Sequence, residues 1–304
     1  MEIIYDNHEE DYKKYLRDEK KIKIANSWLE NNTLDYWRHN RMLAPLEVFI
    51  KKGDKWLTIG DGRYGSEAAW LKKKGIYCHA SDMCINLLKE SHSMGIIDSY
   101  SKENAEELSF DSASFDYVLI KETLHHLPRP WLALYEAFRV CRKGVIIIEP
   151  NDSFSNKNLF SGLILALKNL LKRKQKKDVF KDDYNFEEVG NFIYTFNLRE
   201  LEKFLLGKHK TSIASKKLND HYFKGVEMIA NKKGTLFEKL MRLKLKSYIR
   251  FKNLLCNFGL LHHSILEVVL FKEKPKSTLK KSMNKYLWEY KDLPHNPYLN
   301  KNEE

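Results

Sequence analysis

Three glycines lie within six residues of one another, directly after a short apolar run. Gly60, Gly62 and Gly65 follow the β-rich residues 56–60 and precede a segment of helical spacing that begins at Ser66. A glycine-rich turn between a strand and a helix lets the backbone approach a ligand closely, and the first N–H groups of the helix then face that ligand. The spacing therefore predicts a ligand-binding turn.

A carboxylate follows the next strand-like segment. Asp82 ends that segment, 22 residues after Gly60. A carboxylate at this place in a parallel sheet can accept both hydrogen bonds from a ribose diol. We therefore expect a nucleoside-containing cofactor, which leaves nicotinamide dinucleotides and S-adenosylmethionine open. Asp82 could also cap the helix that follows it, and the two roles can coexist.

Side chains suited to proton transfer follow the fourth and fifth strand-like segments. Glu122, His125 and His126 come after residues 115–120, and Asn151 and Asp152 come after residues 144–149. A histidine titrates near neutral pH, which suits a general base, although the pair could equally be structural. No further ligand run accompanies Asn151 and Asp152, so no metal site is predicted.

Strand-like and helix-like segments alternate through the middle of the chain. The predicted strands are residues 56–60, 76–81, 96–101, 115–120 and 144–149, and the predicted helices are residues 66–74, 85–92 and 131–141. Such alternation indicates a parallel sheet covered by helices on both faces, and continuous Val/Ile runs fit strands buried on both sides. The predicted fold class is α/β, with a Rossmann-like, doubly wound, mostly parallel sheet.

An ordered set of short motifs in residues 103–150 separates the two cofactor classes. The motifs are Asn104-Ala105-Glu106, Phe110-Asp111, Ser114-Phe115-Asp116, His125-His126, Glu136 with Arg139-Val140, and Gly144. In this order they resemble the corresponding stretch of class I S-adenosylmethionine-dependent methyltransferases, particularly the type 11 group. The resemblance covers roughly residues 50–150 well and continues weakly through residues 194–207.

The resemblance implies S-adenosylmethionine as the cofactor and gives roles to particular residues. The methionine and ribose would be wrapped by Gly60, Asp61, Gly62 and Gly65, and the ribose hydroxyls would be held by Asp82. The adenine would be flanked by Met83, and along its edge would lie Asn104, Ala105 and Glu106. The methionine end would be faced by Lys121 and Glu122. The chain departs from the family in having Thr58 where an acidic residue is usual, and in a glycine turn one residue longer. Contacts to the methionine ammonium could then pass to Asp61 or Glu122.

The rest of the chain reads as helical additions around this domain. We expect a helical cap or lid over residues 1–50, with helices over residues 10–30 and 35–50. The cofactor-binding domain is expected over residues 51–272, with helical insertions at about 153–190 and 234–258. An extended tail is expected over residues 273–304, which contain Pro275, Pro294 and Pro297. Within the domain, Asn197 is a plausible N-cap of a helix over residues 197–206. Residues 210–218 and 265–272 are late strand candidates. Tyr36, Trp37, Arg38, His39, His221 and Tyr222 are candidate acceptor contacts.

Composition narrows the class of partner without naming one. The 304 residues carry a formal charge of +12, and the basic excess lies in residues 151–304, with peaks at 172–177 and 241–252. This asymmetry fits either an anionic partner or a solvated basic face.

The four cysteines form no CxxC pair and are expected to be free thiols, mostly buried. No apolar run approaches the roughly 20 residues of a transmembrane helix, and a cytoplasmic location is expected.

The leading functional hypothesis is a methyltransferase that acts on the oxygen or nitrogen of a small-molecule or glycan-like acceptor. An RNA or membrane-lipid acceptor, contacted through the basic helices, is the alternative, although no RNA-binding module is recognisable. Two further alternatives stay open: a non-catalytic nucleoside-binding protein on the same fold, and a nicotinamide-dependent oxidoreductase.

Overall fold

The computed structural model describes residues 2–29, 32–152, 186–187 and 189–298. The α-helices in these residues are α1 (Glu2–Leu16), α2 (Glu19–Ser27), α3 (Leu34–Leu43), α4 (Ser66–Lys73), α5 (Asn86–Ser93), α6 (Pro130–Val140), α7 (Leu198–Gly207), α8 (Leu236–Asn257) and α9 (Ser277–Lys285). The strands are β1 (Lys55–Ile59), β2 (Tyr77–Asp82), β3 (Ser99–Lys102), β4 (Phe115–Lys121), β5 (Cys141–Pro150), β6 (Ser212–Leu218), β7 (Ile265–Phe271) and β8 (Glu289–Asp292). Short 3₁₀ helices span Ala44–Phe49, Leu124–His126 and Val226–Met228.

The strands form one sheet in the order β3-β2-β1-β4-β5-β7-β6-β8. The first five are parallel, whereas β7 runs antiparallel to both β5 and β6, and β8 runs antiparallel to β6. The strand order reverses between β1 and β4, and ligands of open α/β sheets bind outside the carboxyl ends of the strands at such a switch point. This topology confirms the predicted Rossmann-like, mostly parallel α/β fold.

Apolar side chains cover both faces of the sheet. One face packs against Met42 and Leu46 from the N-terminal segment, together with Trp70 and Leu71 of α4. The other face packs against residues of α6 and α7, including Leu134, Phe138, Leu201 and Leu205. Strands buried on both faces need apolar side chains at successive positions, which is why residues 145–148 read as a continuous Val/Ile run.

The two helices predicted before the sheet are both interrupted. Asp18 separates α1 from α2, because its side chain accepts hydrogen bonds from the N–H groups of Lys20 and Lys21 and so starts a new helix. The helix predicted over residues 35–50 ends at Leu43, and Pro45 lies in the first turn of the 3₁₀ helix that follows. The N-terminal segment is therefore helical, as expected, but in shorter pieces.

The expectation of an extended tail over residues 273–304 is wrong for the part that is described. Residues 277–285 form α9, and β8 pairs with β6 at the edge of the sheet. Met283 and Trp288 are buried in the core, and the Trp288 indole N–H donates to the carbonyl of Pro45 at 3.1 Å. The prolines that suggested an extended tail lie outside these two elements, which is where the proline ring is tolerated.

The predicted insertions have different outcomes. Residues 153–185, which include most of the first insertion and the basic cluster at 172–177, lie outside the described residues. The residues of the second insertion form helix α8. Asn197 caps α7 as expected, in a capping box with Glu200. No helix in the described part of the chain is long and apolar enough to cross a membrane.

Candidate active site

The glycine turn places its backbone against neighbouring side chains too closely for a larger residue. Gly60 has φ of +76°, and a Cβ at this position would lie 2.2 Å from the side chain of Thr123. A Cβ at Gly62 would lie 2.6 Å from Oδ2 of Asp82. These contacts leave a bare backbone surface beside a carboxylate, which is the shape that a ribose needs.

Asp82 ends β2 with its carboxylate beside this turn. Its Oδ1 accepts the N–H of Cys84 at 2.8 Å. Burial raises the pKa of Asp82 to about 6, although hydrogen bonds from backbone N–H groups and the charge of Arg63 act in the opposite direction. The Asp82 carboxylate is thus held in place mainly by hydrogen bonds from nearby backbone N–H groups. The ribose interpretation requires such a fixed acceptor for two hydroxyl groups.

The carboxylate of Asp61 is buried and stabilises the start of α4. Its carboxylate accepts the Thr58 hydroxyl at 2.9 Å and the N–H groups of Glu67 and Ala68 at 3.3 and 2.9 Å. It therefore satisfies the first turn of α4. Burial raises the pKa of Asp61 well above its ordinary value, and the charge of the neighbouring Glu67 adds to this. Both oxygen atoms of the Asp61 carboxylate therefore already accept hydrogen bonds within the protein.

A buried ion cluster lies at the end of β4. The Nζ of Lys121 is 3.1 Å from a carboxylate oxygen of both Glu67 and Glu122. Burial opposes ionisation of the two acids, but the Lys121 charge, together with hydrogen bonds and other neighbouring groups, lowers the pKa of each to about 2. Glu122 has φ of +49°, a backbone conformation that costs energy for a non-glycine residue. The protein thus holds a negative charge at the predicted methionine end of the site.

The two histidines after β4 have different partners. Nδ1 of His125 lies 2.6 Å from Oε2 of Glu149, a fully buried residue of β5. Burial alone would lower the pKa of His125, but the hydrogen bond and charge of Glu149 raise it. Nδ1 of His126 lies 2.5 Å from Oε1 of Glu187. Both imidazoles therefore have one nitrogen fixed by a carboxylate, which sets the ring orientation.

Helix α3 contributes a buried polar group to the opposite wall. Arg38 donates to Asp35 and to Asp220, the second of which follows β6. His39 packs its ring on Trp28, with centroids 4.0 Å apart, and its Nδ1 has no hydrogen-bond partner among the described residues. Burial lowers the pKa of His39 well below its ordinary value, and the nearby Lys121 charge adds to this. His39 is therefore neutral at neutral pH.

These groups line one cavity of about 810 Å³ at the carboxyl edge of the sheet. Ten of the thirteen residues predicted for the site are in its wall: Gly60, Asp61, Gly62, Asp82, Met83, Ala105, Lys121, Glu122, His125 and His126. Helices α1 to α3 supply much of the remaining wall, including Tyr12, Tyr15, Trp28, Arg38 and His39. The cavity is thus bounded by the sheet edge on one side and by the N-terminal helices on the other.

Three predicted residues lie outside the cavity wall. Gly65 begins α4 with φ of +64°, and a Cβ there would meet Ile97 at 2.8 Å, so its role is in packing. The side-chain oxygen of Asn104 accepts the N–H of Glu106 at 3.0 Å. Both carboxylate oxygens of Glu106 accept hydrogen bonds from Arg129. Of the segment Asn104, Ala105 and Glu106, Ala105 is therefore the residue that lines the cavity.

The candidate acceptor residues separate in the same way. Arg38, His39 and Tyr222 are in the cavity wall, whereas Tyr36, Trp37 and His221 are not. Asn151 and Asp152 also lie outside it; the Asn151 amide donates to the carbonyl of His263 at 2.9 Å.

In the described residues, no group of three or more His, Cys, Asp or Glu side chains could hold a metal ion. The four cysteines are free; Cys84 is half-buried and the others are buried.

Several residues of the site were not predicted from the sequence. Glu149 ends an apolar strand, as Asp82 does, so the same positional argument could have found it. Glu67 and Thr123 carry no local pattern that marks them. Trp28 reaches the cavity from α2, and only the folded chain brings it there.

Comparison with known proteins agrees with the motifs. A sequence-family model described as a methyltransferase domain matches residues 57–148. The ubiquinone/menaquinone biosynthesis C-methyltransferase UbiE of Rhizobium etli is 29% identical over 133 residues, which are 41% of this chain and 51% of that protein. The chain thus spans about half the length of this curated relative.

Solved structures of methyltransferases are similar at low identity. An S-adenosylmethionine-dependent methyltransferase from Thermotoga maritima is 17% identical, with 90% of this chain and 100% of that chain covered and a TM-score of 0.47. Phosphoethanolamine N-methyltransferase 2 of Haemonchus contortus, in complex with S-adenosyl-L-methionine, is 17% identical over 77% of this chain and 53% of that chain, with a TM-score of 0.45.

Proposed function

We propose that the chain is a class I S-adenosylmethionine-dependent methyltransferase that transfers the methyl group of this cofactor to the oxygen or nitrogen of a small polar acceptor. The match of residues 57–148 to the methyltransferase-domain model supports this proposal. The observation that carries the proposal is that ten predicted site residues line the wall of one cavity, together with side chains from α2 and α3. A cavity of about 810 Å³ can hold a nucleoside cofactor and a small second substrate side by side.

The residues present fit S-adenosylmethionine. Gly60 and Gly62 leave backbone bare where a Cβ would collide with Thr123 or Asp82. Asp82 would hold the ribose, Met83 and Ala105 would lie by the adenine, and Glu122 would face the methionine ammonium, since the carboxylate of Asp61 is used by α4. The cofactor supplies a methyl group made electrophilic by the sulfonium.

The opposite wall offers groups for binding an acceptor. Trp28, Arg38 and Tyr222 lie there, and the Tyr222 hydroxyl donates to Glu227 at 2.7 Å. Aromatic faces beside fixed charges suit a small molecule with hydroxyl or amino groups, including a glycan-like one. Alignment of acceptor and methyl donor in such a cavity contributes much of the rate, on the order of 7–11 kcal/mol.

His125 is the general base that the geometry favours among Glu122, His125 and His126. Its Nδ1 is engaged by Glu149, so a proton from the acceptor would pass to Nε2 as the methyl group bonds to the acceptor oxygen or nitrogen. Glu122, with its pKa lowered to about 2, is a weak base and serves better as a fixed charge. His126 is bonded to Glu187 and is the second candidate.

Calorimetric titration with S-adenosylhomocysteine tests the cofactor site. Asp82→Asn keeps an oxygen for the N–H of Cys84 but removes an acceptor for the ribose hydroxyls, so we expect binding to weaken at least about thirtyfold. Asp111→Asn is the matched control, because Asp111 is exposed and lies outside the cavity. Absence of binding by the unmodified protein would refute the proposal. Binding without methylation of any extracted small molecule would favour the non-catalytic alternative.

A further inference from the structure

Helix α8 buries one side and leaves the other without a partner among the described residues. Its inner side carries the buried residues Arg242, Leu245, Ile249 and Cys256. Leu245 and Ile249 pack with Leu34 of α3 and with Val226 in a separate small core. The helix is therefore held firmly to the protein by its inner side alone.

The outer side of α8 is apolar. The exposed large apolar side chains from residue 236 to residue 258 are Leu236, Phe237, Leu240, Leu243, Tyr248, Phe251, Leu254 and Phe258, each between 45% and 73% exposed. Tyr248 differs from the others in that its ring contacts that of His221, with centroids 4.5 Å apart. They recur at the three- and four-residue spacing that brings side chains onto one face of a helix. A continuous exposed apolar face of this length is unusual on a protein surface and marks an interaction site.

The charges on this side are all of one sign. Lys239, Lys244 and Arg250 are its exposed charged residues, and exposed Lys232 and Lys233 precede the helix. The acidic residue of the helix, Glu238, is held by the capping box with Thr235. This face combines apolar and basic side chains and has no exposed acid. It is therefore complementary to a surface that has an apolar interior and an anionic outer layer.

That combination selects one class of partner. A second copy of the chain would bring these basic residues toward one another, and like charges repel. RNA would need stacking platforms, whereas half of the exposed apolar residues are leucines. A bilayer with anionic headgroups accepts the leucine and phenylalanine side chains at the acyl boundary and the lysine and arginine side chains at the headgroups.

We propose that the outer face of α8 binds peripherally to an anionic lipid surface. A helix of 22 residues would lie flat over about 33 Å. Its inner side is joined through Leu34 and Val226 to the elements that carry Asp35, Arg38 and Glu227 of the cavity wall. Docking would therefore place α8 between the lipid and the elements that form the acceptor side of the cavity. The lipid contact itself does not depend on the proposed methyl transfer.

Flotation of the whole chain with lipid vesicles tests this surface. Vesicles of phosphatidylcholine with phosphatidylglycerol should bind the protein at least about tenfold more tightly than phosphatidylcholine alone, and added salt should weaken the binding. The test variant is Leu240→Glu/Leu243→Glu. Its control, Met94→Glu/Leu132→Glu, makes the same change of charge at exposed apolar positions, one directly after α5 and one in α6.

Retention by the control and loss by the test variant would support the proposal. Equal loss by both variants would overturn it, because the effect would then follow net charge alone. No vesicle binding by the unmodified protein, or a dimer in solution that only the α8 variant converts to a monomer, would overturn it as well. Titration of the same samples with S-adenosylhomocysteine reports separately on the proposed cofactor site.

Discussion

Glu149 holds His125 with one carboxylate oxygen and the loop before it with the other. Its Oε2 lies 2.6 Å from Nδ1 of His125, and its Oε1 accepts the N–H groups of Thr123 and Leu124 at 2.9 and 2.7 Å. One buried side chain of β5 thus sets both the path of the segment after β4 and the orientation of the imidazole. This makes Glu149 a positioning residue for the proposed base.

Glu149→Gln should lower the pKa of His125. The hydrogen bond and charge of Glu149 keep that pKa above its ordinary value of 6.5, and without them burial should bring it below. NMR titration of the imidazole measures this, with His79, whose pKa burial already lowers, as an internal control. An unchanged His125 titration would contradict the assignment.

The same variant has a predictable effect on stability. A histidine with a raised pKa in the folded state stabilises the protein fully below pH 6.5, and this contribution is lost as the pH rises through its folded pKa. We expect Glu149→Gln to cost about 1–3 kcal/mol of unfolding free energy at low pH. In urea titrations, the difference from the unmodified protein should narrow toward pH 8.

Gly62→Ala should abolish cofactor binding with little loss of stability. The new Cβ would lie 2.6 Å from Oδ2 of Asp82, and the carboxylate must move away from its ribose-binding position. We expect at least a hundredfold weaker binding of S-adenosylhomocysteine, equivalent to about 2.7 kcal/mol.

Gly207→Ala is the matched control for Gly62→Ala. A Cβ at Gly207, at the end of α7, would meet nothing within 4 Å. This substitution should leave binding unchanged and stabilise the protein by roughly 0.5–1 kcal/mol. Similar affinities for the two variants would argue against a cofactor between Gly62 and Asp82.

Cofactor affinity should rise with pH between 5 and 7. Burial raises the pKa of Asp82 to about 6, and a ribose diol needs its ionised form as acceptor. Binding of S-adenosylhomocysteine should be about tenfold weaker at pH 5 than at pH 7. Asp82→Asn should bind weakly at both pH values. A flat profile for the unmodified protein would show that another group carries the contact.

Removing Arg38 should be far more costly than removing a surface arginine. Arg38 and its partners Asp35 and Asp220 have side chains less than a tenth exposed. Loss of Arg38 leaves the buried Asp35 carboxylate without its arginine and leaves Asp220 with only the longer contact to Arg41, at 4.0 Å. We expect Arg38→Gln to reduce the unfolding free energy by about 3–5 kcal/mol. Arg142→Gln, which breaks a pair whose arginine side chain is 46% exposed, should cost less than about 1 kcal/mol. Equal midpoints in urea would contradict this.

The sequence alone determined the parallel strands and the turns after them that line the cavity. Strand and helix periods, the glycine spacing and Asp82 are local features, and parallel strands bring their carboxyl ends to one edge whatever the loops do. This is why Gly60, Gly62, Asp82 and the segment after β4 could be assigned to one cavity before the structure was known. The capping box at Asn197 is equally local.

The tertiary structure decided what depends on contacts between distant segments. Because Trp288 is buried against Pro45, the proline-containing C-terminal residues form helix α9 and the edge strand β8 and do not extend into solvent there. The Glu106 carboxylate accepts hydrogen bonds from Arg129, and the Glu149 carboxylate is the partner of His125. Short-range patterns specify elements and their ends, whereas the partner of a buried charge is set only when the elements pack, because solvent no longer competes for it.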